Sequence, residues 1–404
     1  MKATDVDRIT NWIVRRGLEG AQESDLLREF CEKCNEADLP ITRALVVIDT
    51  LHPVHEGTVF RWRNDDIEEK AATTYGRTTE GAAADSWHRS PFYHLLQTGG
   101  EELRRRIGFG EPADFSIIEE VKELGHTDYI VFVYRFATDA TIGEMDCVYS
   151  GWSTRNPGGF SDECIAALRQ LVPVLGLAIK SATLTNVAHT LVETYLGRDA
   201  GRRVLAGRTQ RGVADRIEAA LWFSDLRGYT TITDTAPPGE IIPLLNDYAE
   251  AVITAIHEAG GDVLKLIGDG TLALFRADDP AEACRHALLA EEILRARIKE
   301  LNEKRRAEER PITSVYIGLH VGAVFYGNIG SVDRLDFTVV GPAVNETSRI
   351  ASMCRSVDRP VLVSSAFAAS LSARQRAGLV SVGRFALRGV GRAQELFTLD
   401  PELI

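Results

Sequence analysis

Two aspartates stand where apolar runs break. Asp225 ends Ala219-Ala-Leu-Trp-Phe-Ser-Asp, a strand-like run that stops at Gly228, and a carboxylate at the end of a buried strand is costly unless something positive meets it. Asp269 lies in Gly268-Asp-Gly270, between two apolar runs of the segment Asp262 to Phe275 that read as a hairpin, and the glycines suit a tight turn because they tolerate positive φ. A strand end and a neighbouring rigid tip, each with an acid, are what a two-metal site needs. Hard divalent cations take oxygen ligands and can share carboxylates at a separation of about 3.5–4 Å. The same spacing also fits a turn cap at Asp225 and an ordinary hairpin residue at Asp269, and spacing alone does not choose between the two.

The elements that must hold these acids are legible around them. A helix is expected from about Pro238 to Ala259, with Ile241, Leu244, Leu245, Tyr248, Val252 and Ile256 on one face. Gly260-Gly261 then supply C-cap residues. His320 lies within a strand ahead of a glycine hairpin and reads as structural rather than catalytic.

Four motifs follow one another in this half. They are Phe223-Ser-Asp-Leu-Arg-Gly-Tyr-Thr, Gly260-Gly-Asp-Val-Leu-Lys-Leu-Ile-Gly-Asp-Gly, Gly318-Leu-His-Val-Gly-Ala-Val-Phe-Tyr-Gly-Asn-Ile-Gly and Phe337-Thr-Val-Val-Gly-Pro-Ala-Val-Asn-Glu-Thr-Ser-Arg. In this order they resemble the motifs of the class III nucleotide cyclases, over roughly residues 214–398. The resemblance implies a ferredoxin-like α+β catalytic fold of the βαβ type, working as a head-to-tail homodimer with two shared sites. It implies ATP as substrate and two divalent cations per site, Mg²⁺ or Mn²⁺. Asp225 and Asp269 match the metal-binding aspartates, and the backbone from Phe223 through Gly228 to Tyr229 matches the triphosphate loop. Lys265 matches the purine-reading lysine, Asn345 the ribose-orienting asparagine and Arg349 the arginine that supports the transition state. Arg388 sits where relatives often carry a phosphate-contacting lysine. Arg334 is a further candidate for phosphate, with an interface ion pair as the other reading.

A lysine is a pure donor and fits adenine N1, whereas guanine N1–H would meet it donor to donor. Relatives that read adenine usually place an aspartate at the position of Thr338, so this chain resembles the threonine-variant (class IIIb-like) subgroup. A threonine hydroxyl can still accept one hydrogen bond. The reading is an adenylate cyclase; a guanylate cyclase and a ligand-sensing module with a weakly active cyclase domain are the alternatives.

The remaining half of the 404 residues has a different surface. Residues 1–200 carry 21 Lys+Arg against 32 Asp+Glu, and residues 201–404 carry 25 against 26, so nearly all of the net charge of −12 lies in the first half. That acidity gives no reason to bind nucleic acid or anionic lipid. Strands are expected at Ile41–Thr50, Thr58–Arg63, Asp128–Phe136 and Asp146–Thr154, after helical residues 1–35. Gly151-Trp-Ser-Thr-Arg-Asn-Pro-Gly-Gly-Phe-Ser-Asp-Glu, leading into a long helix capped by Ser161, resembles the closing section of a GAF-like sensor domain. The other reading is a dimerising α+β domain without a ligand. Trp62, Trp87, Trp152, His88 and His94 are candidates to line a small-molecule pocket, or simply core.

Leu177, Leu184 and Leu191 recur every seven residues, as a parallel helix pair or a packed surface helix would require. The stretch Gly197–Gly212 reads as a connector with solvated arginines. The expected division is therefore 1–180 sensor, 181–213 signalling helix and connector, and 214–404 catalytic domain. Cys31 and Cys34 fall on an amphipathic helix with no second pair to complete a zinc set. The longest apolar stretch, Leu171–Ile179, is short of the roughly 20 residues of a membrane span. With no apolar signal core after Met1, a cytoplasmic location without a membrane span is the expectation.

Overall fold

A computed structural model describes residues 1–65, 69–79, 81–137, 141–143 and 145–400. The chain folds as two compact units, Met1–Leu191 and Val192–Ile404.

In the first unit the expected helical start is two helices, α1 (Ala3–Leu18) and α2 (Glu23–Glu36). Gly20, at φ +74°, makes the break between them. The sheet follows as β1 (Arg43–Asp49), β2 (Gly57–Arg63), β3 (Ala72–Tyr75), then helices α3 (Gly81–His88) and α4 (Pro91–Thr98), β4 (Glu102–Arg105), α5 (Ser116–Glu123), β5 (Asp128–Arg135) and β6 (Cys147–Thr154). Its order is β3-β2-β1-β6-β5-β4, antiparallel throughout. The four expected strands are its centre. β3 and β4 are four-residue edge strands with little apolar alternation, which is why they are silent in the sequence.

Alternation along the strands separates two cores. Val46, Ile48, Ile130, Phe132, Val148 and Trp152 face α1, α2 and the long helix α6 (Asp162–Leu196). Leu45, Tyr129, Val131, Val133 and Tyr149 face the side of Phe92 and Leu95 in α4 and Ile118 and Val121 in α5. Ser161 caps α6 as expected, its Oγ accepting Cys164 N–H at 3.3 Å. By length and composition α6 could cross a bilayer, although the apolar run read from the sequence is shorter. Leu168, Leu171, Leu175 and Ile179 are spent against the sheet, as in a core helix. Of the heptad positions, Leu184 packs on that core while Leu177 is exposed.

The second unit opens with α7 (Arg198–Leu205) inside the expected connector. Its arginines are not simply solvated. Arg203 Nε donates to Asp199 at 2.8 Å and reaches Asp215 at 3.3 Å, Arg208 pairs with Asp215, and Arg276 Nη2 lies 2.6 Å from Asp199. Asp199 is four residues from Arg203 along the helix, Asp215 lies seven residues past Arg208, and Arg276 comes from beyond residue 275; only the first spacing is visible beforehand.

Next come β7 (Ala214–Leu226), α8 (Tyr229–Thr235), α9 (Pro238–Glu258), β8 (Asp262–Ile267), β9 (Gly270–Phe275), α10 (Pro280–Ala307), β10 (Val315–Gly330), β11 (Leu335–Val340), α11 (Pro342–Val357), β12 (Val361–Ser364), α12 (Ser365–Ser370), α13 (Ala373–Arg376), β13 (Leu379–Phe385) and β14 (Gln394–Leu399). The sheet order is β13-β14-β12-β10-β7-β9-β8, with β11 pairing β10. Within it, β7-α9-β8-β9-α10-β10 is a βαββαβ succession laid out fourth, first, third, second, the ferredoxin-like arrangement. Helices α9 and α10 cover one face through Leu244, Tyr248, Ile256, Ala287 and Leu294. On the other, α11 lies close to β10 at Gly318, where a Cβ would come within 2.7 Å of Thr347 O.

Candidate active site

The two acids meet because β7 and the β8–β9 hairpin end together. β7 turns Trp222 and Leu226 toward the helices, so Phe223 and Asp225 face the other side of the sheet. Asp225 stands opposite Tyr316 of β10. Asp269 occupies the β8–β9 turn after Gly268, at φ +62°, and its Oδ2 accepts Leu226 N–H at 3.2 Å. The Phe223 ring closes on the same hairpin, 3.5 Å from where a Cβ on Gly270 would stand.

The electrostatics of this pair are unfavourable as they stand. Asp225 Oδ1 is buried without a hydrogen-bond partner among the described residues. Burial first, and the neighbouring Asp269 charge second, push the Asp225 carboxyl up to about 6. No lysine or arginine among the described residues counters that shift. A buried oxygen without a donor, beside a second carboxylate, fits a divalent cation. Among the described residues no group of three or more His, Cys, Asp or Glu could hold a metal. A cation here would complete its shell with backbone, water and phosphate oxygens, as Mg²⁺ commonly does.

The same shift carries a consequence for stability. A folded pKa near 6, above the ordinary 3.8, means that the folded state holds this proton more tightly than the unfolded chain. Metal-free protein therefore loses stability as pH rises from about 4 to about 6, and the loss persists above. Asp225→Asn is expected to stabilise metal-free protein by about 1–2 kcal/mol at pH 7.5, the full shift being discounted for a half-buried group. At pH 4 the difference should vanish. Thermal melts in chelator at both pH values check it; equal melting temperatures at pH 7.5 would remove the argument.

Within the expected triphosphate loop, Gly228 adopts φ +67° and the short helix α8 starts at Tyr229. The first N–H groups of α8 have no intrahelical partner.

The expected base-reading residues are gathered on β8 and β11. Lys265, opposite Leu272, follows an irregularity in the β8–β9 register, and its ammonium pairs with Asp336 on β11. Thr338 is two residues along and shares that face, opposite the buried Phe337 and Val339. Asp336 was not identified from the sequence; its spacing of two from Thr338 on a strand was the available signal.

Asn345 and Arg349 lie one turn apart on α11, Asn345 exposed and Arg349 half-buried. The Arg349 guanidinium lies against Gly389, where a Cβ would stand 3.3 Å from both Nη atoms. Gly389 has φ +72°, so a side chain there would strain the turn as well as crowd the arginine. The loop that carries Arg388 is thereby held beside Arg349. Neither guanidinium has a hydrogen bond or ion pair among the described residues, and two free guanidinium groups without an acid suit a polyanion. Arg334 is exposed at the β10–β11 turn, its backbone N–H donating to Ser331 Oγ at 3.1 Å. It makes no ion pair among the described residues. His320 is buried, with Nδ1 2.8 Å from Ser364 Oγ and 3.6 Å from Glu346 Oε1. A cavity of about 340 Å³ at Leu294, Ile298, Arg359 and Thr398 holds none of these residues.

Comparison with known proteins bears on the same half of the chain. Residues 214–400 match the family model of the adenylate and guanylate cyclase catalytic domain. An adenylate cyclase of Anabaena cylindrica is 36% identical over 165 residues, which are 40% of this chain and 32% of that protein. Adenylate cyclase 1 of Rhizobium meliloti is 30% identical over 159 residues, 38% of this chain and 23% of that protein. The chain thus spans a third or less of the length of these relatives. Among solved structures, the guanylyl cyclase Cya2 is 26% identical, covering 46% of this chain and 93% of that one at a TM-score of 0.41.

Proposed function

We propose that residues 214–400, which match the family model of the adenylate and guanylate cyclase catalytic domain, convert ATP to 3′,5′-cyclic AMP and pyrophosphate as a homodimer. The observation that carries this reading is the uncompensated Asp225–Asp269 pair, close together with no lysine or arginine among the described residues offsetting the Asp225 shift. In the reaction the ribose 3′-hydroxyl gives its proton to water, its oxygen bonds to the α-phosphorus, the bond from the α-phosphorus to the bridging β-phosphate oxygen breaks, and pyrophosphate leaves with the electron pair. Asp225 and Asp269 would hold two divalent cations, Mg²⁺ or Mn²⁺, which when bound supply charge for the triphosphate and acidify the 3′-hydroxyl. Asn345 orients the ribose. Arg349 meets the charge that spreads over the equatorial oxygens, and its planar fork is suited to that geometry. Arg388 and the Phe223–Tyr229 backbone bind the leaving phosphates, with Arg334 as a further contact.

Lys265 donates to adenine N1 and Thr338 accepts from the amino group, in the manner of the threonine-variant cyclases. Asp336 holds the lysine in place. Lys265→Ala is expected to lower kcat/KM for ATP by about 10–100-fold, the range of one charge-assisted hydrogen bond. A KM-dominated loss measured with both ATP and GTP checks it. GTP is the second reading, and Asp336 favours it, because an acid at the base site can accept from guanine N1–H. Incubation of the purified chain with each nucleotide under Mg²⁺ and Mn²⁺ decides: preferential cyclic AMP supports the first reading, and preferential cyclic GMP replaces it. Absence of both products would leave a ligand-sensing module. We assign the first unit a GAF-like regulatory role, with the enzyme working in the ATP-containing cytoplasm.

A further inference from the structure

The first unit contains a cavity of about 430 Å³ between its sheet and the α3–α4 segment. Val47, Val59 and Leu96 give it an apolar floor, and Trp87, Phe92 and Tyr149 an aromatic wall. The Trp87 and Tyr149 rings meet edge to face at 5.3 Å, and Phe92 lies 5.5 Å from Tyr149. Of the five residues singled out from the sequence, only Trp87 borders this space. Trp62 and Trp152 belong to the core on the opposite face of the sheet, while His88 and His94 pack on Tyr93 and Phe115.

The polar lining is acidic. Asp49 and Glu56, each 8% exposed, and Asp146 border the cavity. Among the described lining residues there is no lysine or arginine. Neutral donors orient Glu56 without cancelling its charge, and a tyrosine hydroxyl is among the partners of Asp49. Tyr75 O–H donates to Asp49, and Thr78 donates its N–H to Glu56 Oε2 at 2.6 Å and its hydroxyl to Oε1. Gly57 makes room for the Tyr75 hydroxyl, since a Cβ there would collide with it. Burial, and then the Asp49 charge, raise the Tyr75 phenol, so it stays a donor.

We propose that this cavity binds a small organic cation, a protonated or quaternary amine with an apolar body. A buried carboxylate such as Glu56 is costly unless a positive charge enters with the ligand. An aromatic wall attracts the same charge through its ring faces, most strongly where water is excluded. The volume and apolar floor are those of a small-molecule site. A phosphate-bearing ligand would be repelled by three acids. The excess of carboxylates in residues 1–200 draws cations toward this unit at longer range. Tyr149 borders the cavity, while its chain neighbour Val148 faces α6, where a Cβ on Gly176 would stand 3.0 Å from Val148 Cγ1. An occupant is thus one residue of β6 away from the long helix.

Isothermal titration of the full chain with benzyltrimethylammonium chloride tests this directly, in an amine-free buffer at fixed ionic strength. It does not depend on the reaction proposed for the second unit. Saturable binding is expected, with benzyl alcohol binding at least about ten-fold more weakly. Trp87→Leu and Glu56→Gln should each weaken the ammonium by about ten-fold, with melting temperatures confirming that they fold. Asp146→Asn removes an exposed charge, leaves the Tyr75 and Thr78 bonds in place, and should weaken binding in the same direction. No saturable heat with the ammonium, equal affinity for benzyl alcohol, or unchanged affinity in all folded variants would overturn the proposal.

Discussion

Asp225→Asn is expected to lower kcat for cyclic nucleotide formation by about 10³-fold or more, under Mg²⁺ and Mn²⁺ alike. The substitution keeps the shape of the side chain and removes only its charge. Asp225 ends a strand paired along its length with β10 and anchored by the buried Trp222, so the fold has no need of the carboxylate. It is in fact strained by it: the unpartnered Oδ1 and the pKa near 6 mark an electrostatic cost. The same variant that loses activity should therefore melt higher without metal. Those opposite signs separate a functional carboxylate from a structural one, whose loss would lower both. Steady-state kinetics with a matched thermal melt are the measurement. Retention of more than a tenth of wild-type kcat by folded protein would remove Asp225 from the reaction.

The parts of this protein legible in its sequence are those where one local pattern has one physical solution. The helix at Pro238–Glu258 follows from its apolar face, and the β8–β9 hairpin from Gly268 and Gly270 around Asp269. Both are short-range problems. What could not be read depended on neighbours remote in the chain. The Lys265–Asp336 pair spans 71 residues, and Arg349 meets Gly389 only because a positive-φ turn comes back to it. β7 starts at Ala214 rather than in the apolar run at Ala219, because its polar first residues are held by the long partner β10. Tertiary pairing overrode a weak local signal there. In the first unit the aromatic residues were visible but their sides of the sheet were not. Trp87, on a short helix, reached the cavity, while Trp152, on β6, points to the opposite face from Tyr149. Composition cannot make that distinction.

An equal mixture of inactive Asp225→Asn and inactive Arg349→Ala chains is expected to recover about a quarter of wild-type activity after subunit exchange. Random pairing makes half of the dimers mixed. In a head-to-tail dimer each mixed pair has one site carrying both lesions and one carrying neither. The expectation rests on the environment of Asp225, where burial and Asp269 shift the carboxyl and neither Lys265, Arg349 nor Arg388 of the same chain offsets them. It rests also on exposed apolar residues at the edges of this site: Leu266 and Ile267 at the hairpin tip, and Phe325, Val332, Leu335 and Val340 along the β10–β11 ribbon. Apolar side chains in such a group mark an association surface, and a second copy would bring its own Arg349 and Lys265 with it. Activity per milligram of the mixture, set against each variant alone over a range of protein concentrations, is the readout. A mixture no more active than the average of its components would mean that each chain completes its own site. The Asp225→Asn loss would stand even so, which separates the residue's role from the arrangement of the dimer.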